Sequence, residues 1–165
     1  VEDGSLFGHS PELTAQAVAS VRAETDLPVL AKLAPNVPDI VEIARAAVDS
    51  GADALTICNT VPAMRIDITS RQPVLGNITG GLSGEGLRPI SLNLVYQVSN
   101  ALDVPIIGVG GIFSGEHAAE YILAGASAVQ IGSANLMGLS APWRILAELQ
   151  DWMQRSGVTN LRGLA

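Results

Sequence analysis

Positive charge is scarce in this chain. Its 165 residues carry 9 Lys and Arg against 16 Asp and Glu, a formal charge of −7, and the basic residues form no cluster. That excludes nucleic acid and anionic membrane as main partners. Aromatics make up only 4% of the chain while apolar residues reach 48%, so the core must come from Val, Ile, Leu and Ala, the usual filling of α/β folds. One cysteine, Cys58, rules out an internal disulfide framework and any multi-Cys metal site, and points to a reducing compartment. No apolar run reaches the ~18 residues of a membrane span, and no charged-then-apolar leader opens the chain. The expectation is a soluble, cytoplasmic, single-domain protein without a metal. The opening Val1-Glu2-Asp3-Gly4 has no initiator Met and is loop chemistry from the start, which suggests that structure precedes residue 1.

Helix and strand signals alternate. Ser10-Pro11-Glu12 is a helix start, with Ser as N-cap, Pro at the first position and an acid near the positive end of the dipole. That helix is predicted to run to Glu24. Residues 28–33 read as a short apolar strand. Apolar residues at the helical period from Ile40 to Val48, ended by Gly51, predict a second helix, and 54–58 a second strand. Further helices are expected over 89–102, from the Ser114 cap to 124, and from 140 to 155, with strands at 104–109 and 128–131. Residues 60–88 are long for a connection of this kind and rich in Gly and Pro. Two pieces inside it, 64–68 and 73–75, are candidates for a hairpin, and such a loop is more often a lid or binding loop than filler.

The strands are near-continuously apolar and alternate with helices, which predicts a parallel sheet covered by helices. An internal echo accompanies them. Asp26-Leu-Pro-Val-Leu-Ala and Asp103-Val-Pro-Ile-Ile-Gly, 77 positions apart, each open a strand. Gly51-Ala-Asp-Ala-Leu-Thr-Ile and Gly125-Ala-Ser-Ala-Val-Gln-Ile, 74 apart, each lead from helix to strand. A two-strand unit therefore occurs twice. A closed (β/α)8 barrel has eight strands and usually ~250 residues, so the predicted fold is the C-terminal half of a TIM barrel.

Barrel sites lie at the C-terminal strand ends, and a phosphate often sits after the last two strands. Those strands end here in Gly110-Gly111 and Gly132-Ser133. Glycine allows close backbone approach and exposes N–H groups to phosphate oxygens. The alternative is simple tight turns, but two such pairs on neighbouring strands favour phosphate, as does a short helical stretch at 134–137. Lys32 lies near the end of an apolar strand; it either snorkels to the rim or aims its charge at a cofactor or anionic substrate, and the active-site rim favours the latter. Asn59 and Thr60 suit a substrate with amides or a carboxylate, although Asn is also common in turns. Cys58 has no sequence-neighbouring His to activate it and reads as a small hydrophobe. His9 and His117 fall near helix starts and suit surface or capping roles. Arg65 and Asp67 could pair or meet a ligand.

In this order the residues resemble the dihydroorotate dehydrogenases, in particular the class whose catalytic subunit works with an electron-transfer partner. The matching strings include Val29-Leu-Ala-Lys-Leu-Ala-Pro-Asn-Val, Asn59-Thr-Val-Pro-Ala-Met-Arg-Ile-Asp, Thr79-Gly-Gly-Leu-Ser-Gly, Pro105-Ile-Ile-Gly-Val-Gly-Gly-Ile and Ala124-Gly-Ala-Ser-Ala-Val-Gln-Ile-Gly-Ser-Ala-Asn. The resemblance implies an FMN flavoprotein of pyrimidine biosynthesis. Lys32 would meet the pyrimidine edge of the flavin and Cys58 would line it through its backbone. Gly84, Gly110, Gly111, Gly132 and Ser133 would hold the phosphate. Asn59 and Thr60 would bind dihydroorotate or orotate. Cys58 and Ser133 stand where the family usually has a branched aliphatic and a Thr, and both keep the implied contacts possible.

The resemblance also implies a homodimer joined to a subunit carrying FAD and an iron–sulfur cluster. The family's base is a cysteine shortly before the stretch resembled by Val1–Gly8, so no catalytic base is expected within these residues, and Cys58 is not its replacement. Two other readings stand beside this one: another FMN-barrel oxidoreductase, such as a dihydropyrimidine dehydrogenase-like domain, and a non-catalytic, phosphate-binding half-barrel.

Overall fold

The capping chemistry read from sequence sets the first helix. In the computed structural model, which describes residues 7–162 and 164, Ser10 accepts the Leu13 N–H at 3.1 Å and opens α1, Pro11–Glu24. Then come β1 (Leu30–Leu33), α2 (Ile40–Asp49, capped by Asp39) and β2 (Ala54–Ile57). After the long connection follow α3 (Arg88–Ala101), β7 (Ile106–Val109), α4 (Gly115–Leu123, capped by Ser114), β8 (Ala128–Gln130) and α5 (Ala141–Arg155), with β3 to β6 lying inside that connection. The stretch resembled by Val1–Gly8 lies largely outside the described residues.

The four long-range strands form one parallel sheet in the order β1-β2-β7-β8, alternating with helices as in half of a (β/α)8 barrel. One row of side chains, Leu33, Leu55, Ile57 and Ile106, is buried under the helices together with Ile43, Val95, Val98, Tyr121 and Ile145. The opposite row carries Leu30, Lys32, Thr56, Ile107, Val109 and Gln130; Leu30, Lys32 and Gln130 on the outer strands are exposed, while Thr56 at the centre is buried. Among the described residues β1 and β8 have no strand on their outer edges, the geometry of an unclosed barrel wall.

The connection between β2 and α3 holds two small antiparallel ladders. β4 (Ile66–Asp67) pairs β5 (Gln72–Pro73), the hairpin expected from 64–68 and 73–75 with its second strand beginning one residue earlier. β3 (Val61–Ala63) pairs β6 (Gly80–Leu82), which the sequence did not signal, because Pro62 lacks a donor N–H and Gly80-Gly81 weaken a strand pattern. The short helical turn after β8 spans Ser133–Leu136, one position earlier than expected.

The internal echo is structural. Leu30 pairs Ala54 as Ile107 pairs Ala128, and Lys32 pairs Thr56 as Val109 pairs Gln130. Gly51 and Gly125 both have φ +103, and their N–H groups donate to Val48 and Ile122 at the same 3.0 Å.

Candidate functional site

Parallel strands bring their C-terminal ends to one rim, and the residues that follow each strand meet there. Lys32 is the penultimate residue of β1, Cys58, Asn59 and Thr60 follow β2, Gly110 and Gly111 follow β7, and Gly132 and Ser133 follow β8. These eight, with Gly84 from the long connection, line a single cavity of about 150 Å³. Every residue assigned from sequence to the cofactor or the substrate is therefore in it. Ser83, Leu87 and Val109 complete the lining and carried no sequence signal.

The cavity is rich in unspent backbone donors. Among the described residues, the N–H groups of Gly84, Gly110, Gly111, Gly132 and Ser133 donate to no protein acceptor. Gly132 is exposed, but the other four are buried or half-buried, and such an N–H without a partner costs free energy that a ligand oxygen can recover. The glycines are needed for this shape. Gly111 has φ +65, and a Cβ there would stand 2.7 Å from the Gly84 carbonyl and 2.9 Å from the Arg88 nitrogen. Gly84, at φ +88, and Gly132 have open space where a Cβ would project, which is room for an approaching group.

Side chains add one charge and several polar groups. Lys32 is exposed on the open face of the sheet and makes no ion pair among the described residues. Asn59 accepts the Thr60 N–H through Oδ1 at 2.9 Å, which leaves its amide NH2 for a ligand. Thr60 is held close to Gly81, where a Cβ would collide with its Oγ1, so the β3–β6 ladder fixes the back of the site.

Cys58 is 2% exposed, and burial pushes its thiol up, partly offset by a hydrogen bond with Ser91 and the charge of Lys32. It is no activated nucleophile. The Ile57–Cys58 peptide is cis, and the Cys58 N–H donates to the Val109 carbonyl at 3.1 Å.

Two supporting residues escaped sequence reasoning. Buried Tyr121 lays its ring against Gly108 and donates its hydroxyl to the Gly110 carbonyl at 2.7 Å; burial raises its hydroxyl to about 12. Ser91 donates to the Val109 carbonyl at 2.7 Å. The available signal was Gly108 inside an apolar strand, which marks a close approach. The remaining candidates lie elsewhere. His9 meets Asn36 at 3.0 Å, and His117 accepts the Phe113 N–H at 3.2 Å. Asp67 accepts from Thr69 and Ser70, which holds its carboxyl below the ordinary value, and it forms no ion pair with Arg65 among the described residues.

Comparison with known proteins gives this geometry a context. The family model described as dihydroorotate dehydrogenase matches residues 1–153. The catalytic subunit of dihydroorotate dehydrogenase B (NAD(+)) from Geotalea daltonii is 47% identical over 163 residues, 99% of this chain and 53% of the relative. The same subunit from Geobacter metallireducens is 47% identical over 161 residues, and that from Pelobacter propionicus 48% over 163. The chain spans about half the length of the curated relatives it matches. Among the described residues, no helix is long and apolar enough to cross a membrane.

Proposed function

The chain belongs to the dihydroorotate dehydrogenase family, and from that membership we propose that it forms the FMN- and orotate-binding half of a barrel that oxidises dihydroorotate to orotate. In this reading residues 1–165 are one partial barrel domain with an inserted loop at about 60–88. The observation that carries it is the single cavity lined by Lys32, Asn59, Thr60 and five unpaired backbone donors. Convergent N–H groups with no acceptor suit a phosphate, and the glycines leave space for one.

Gly84, Gly110, Gly111, Gly132 and Ser133 hold the FMN phosphate through their N–H groups. Lys32 sets a positive charge beside the electron-rich edge of the flavin. Cys58, buried and neutral, lines the flavin with its backbone. Asn59 and Thr60 orient the substrate by donating to its carbonyl and carboxylate oxygens. FMN, when bound, supplies the redox chemistry by taking up the hydride that leaves the substrate. The proton leaves to a base contributed from outside these residues; Cys58, whose thiol burial pushes up, does not take that role. The relatives' designation as catalytic subunits supports a partner subunit; in this reading the assembly is a homodimer of completed barrels joined to a subunit carrying FAD and an iron–sulfur cluster, in the cytoplasm.

The test joins this chain to the complementary N-terminal half of the Geotalea daltonii relative and measures reduction of an artificial acceptor. Dihydroorotate turnover in the joined protein, none with dihydrouracil, and none in the 165-residue chain alone is the expected pattern. Preference for dihydrouracil, or robust turnover by the chain alone, contradicts the proposal.

A further inference from the structure

The repeat has a second consequence, at the opposite end of the sheet. In the first unit, Arg22 of α1 lies over Gly51, where a Cβ would come within 2.8 Å of the Arg22 Cγ. Its guanidinium donates to the Thr25 carbonyl at 2.7 Å, the Leu27 carbonyl at 2.5 Å and the Gly51 carbonyl at 3.5 Å, and pairs with Asp53 at 2.9 Å. In the second unit, Ser99 of α3 lies over Gly125 in the same way. Ser127 takes the place of Asp53, its N–H donating to Ile106 at 2.8 Å as that of Asp53 donates to Val29 at 2.8 Å.

The backbone is thus the same and the arginine is missing. Ser99 turns to the Ala124 and Tyr96 carbonyls and reaches none of the three positions the guanidinium serves in the first unit. Those positions correspond to the carbonyls of Leu102, Val104 and Gly125, which accept no hydrogen bond among the described residues. The space left is a cleft of about 500 Å³ lined by Tyr96, Ser99, Asn100, Asp103, Gly125 and Ser127.

Its electrostatics have one sign. α3 and α4 both end at the cleft and present their carbonyl ends, where the helix dipole favours a cation. Asp103 adds a carboxylate, and the ring of Tyr96, 59% exposed, stands at the rim, where a planar cation can stack. Three carbonyls spread around a cleft match a planar fork of donors and not the point charge of an ammonium. We infer that this cleft binds a guanidinium group supplied from outside the chain, in the place that Arg22 fills in the first unit. It lies at the N-terminal strand ends, apart from the cavity proposed for FMN, and does not depend on that reading.

The probes are capped arginine (N-acetyl-arginine methylamide), capped lysine and agmatine, titrated into the 165-residue chain while the amide signals of Gly125 and Ser127 are followed. The expected result is saturable binding of both guanidinium probes, about tenfold or more tighter than capped lysine. Capped arginine tighter than agmatine assigns the group to a protein side chain; agmatine tighter assigns it to a free ligand. The double variant Ser99→Arg/Ser127→Asp, which copies the first unit, should lose at least about tenfold of the binding and unfold at a higher temperature. Equal affinity for lysine and arginine, or no saturation by about 50 mM probe, overturns the inference on the unaltered chain. Retained binding in a folded double variant overturns it as well.

Discussion

The two ends of the same four-stranded sheet are built to opposite rules. At the N-terminal end of the first unit, polar groups are spent on each other: Asp53 accepts the Val29 N–H at 2.7 Å and the Arg22 guanidinium at 2.9 Å. At the C-terminal end, five N–H groups and the Lys32 ammonium are left without protein partners among the described residues. In the first unit the N-terminal end contributes stability, while the C-terminal end holds unsatisfied donors for a ligand. Substitutions at the two ends should therefore separate folding from binding.

The largest effect is expected at the ligand end. Gly111→Ala forces a Cβ against the Gly84 carbonyl at φ +65, and FMN affinity should fall about a hundredfold, near 2.7 kcal/mol, read by flavin fluorescence. At the opposite end, Arg22→Ala removes the charged donor to Thr25 and Leu27. Urea unfolding should show a loss of roughly 1–3 kcal/mol with FMN affinity unchanged. Lys32→Ala reverses that pattern: about a tenfold loss of FMN affinity, with the unfolding midpoint unmoved because the side chain is exposed and unpaired.

Tyr121→Phe bridges the two classes. It leaves the Gly110 carbonyl without its donor and should cost about 1 kcal/mol of stability, with a smaller loss of FMN binding. The smallest effect is on pH dependence. The Val29 N–H, and then Arg22, hold the Asp53 carboxyl below its ordinary 3.8. The ionised form is the one the fold favours, so its contribution is complete above about pH 4 and is lost as pH falls through the folded value. Asp53→Asn should be less stable than the parent at pH 7, and the difference should shrink on acidification.

The same contrast explains what was legible in the sequence. Ser10, Ser114 and Gly51 act through their nearest neighbours, so helix bounds could be read directly. The ligand end was legible because it is made of backbone at strand ends, and Gly110-Gly111 and Gly132-Ser133 announce that backbone by themselves. Arg22 was not, since its partners lie at Thr25, Leu27, Gly51 and Asp53 on either side of a strand and a helix. Tyr121 and Ser91 were missed for the same reason: their role exists only once α3 and α4 pack on β7. The β3–β6 ladder was hidden by Pro62 and Gly80-Gly81, residues that signal turns unless a partner strand is known.

The central claim is that unpaired backbone donors at the C-terminal strand ends receive a phosphate. Titrating the purified chain with FMN and with riboflavin, which lacks only the phosphate, tests it most directly. Saturable FMN binding with riboflavin at least about tenfold weaker is predicted. Equal affinity for the two, or no FMN binding, would contradict the account.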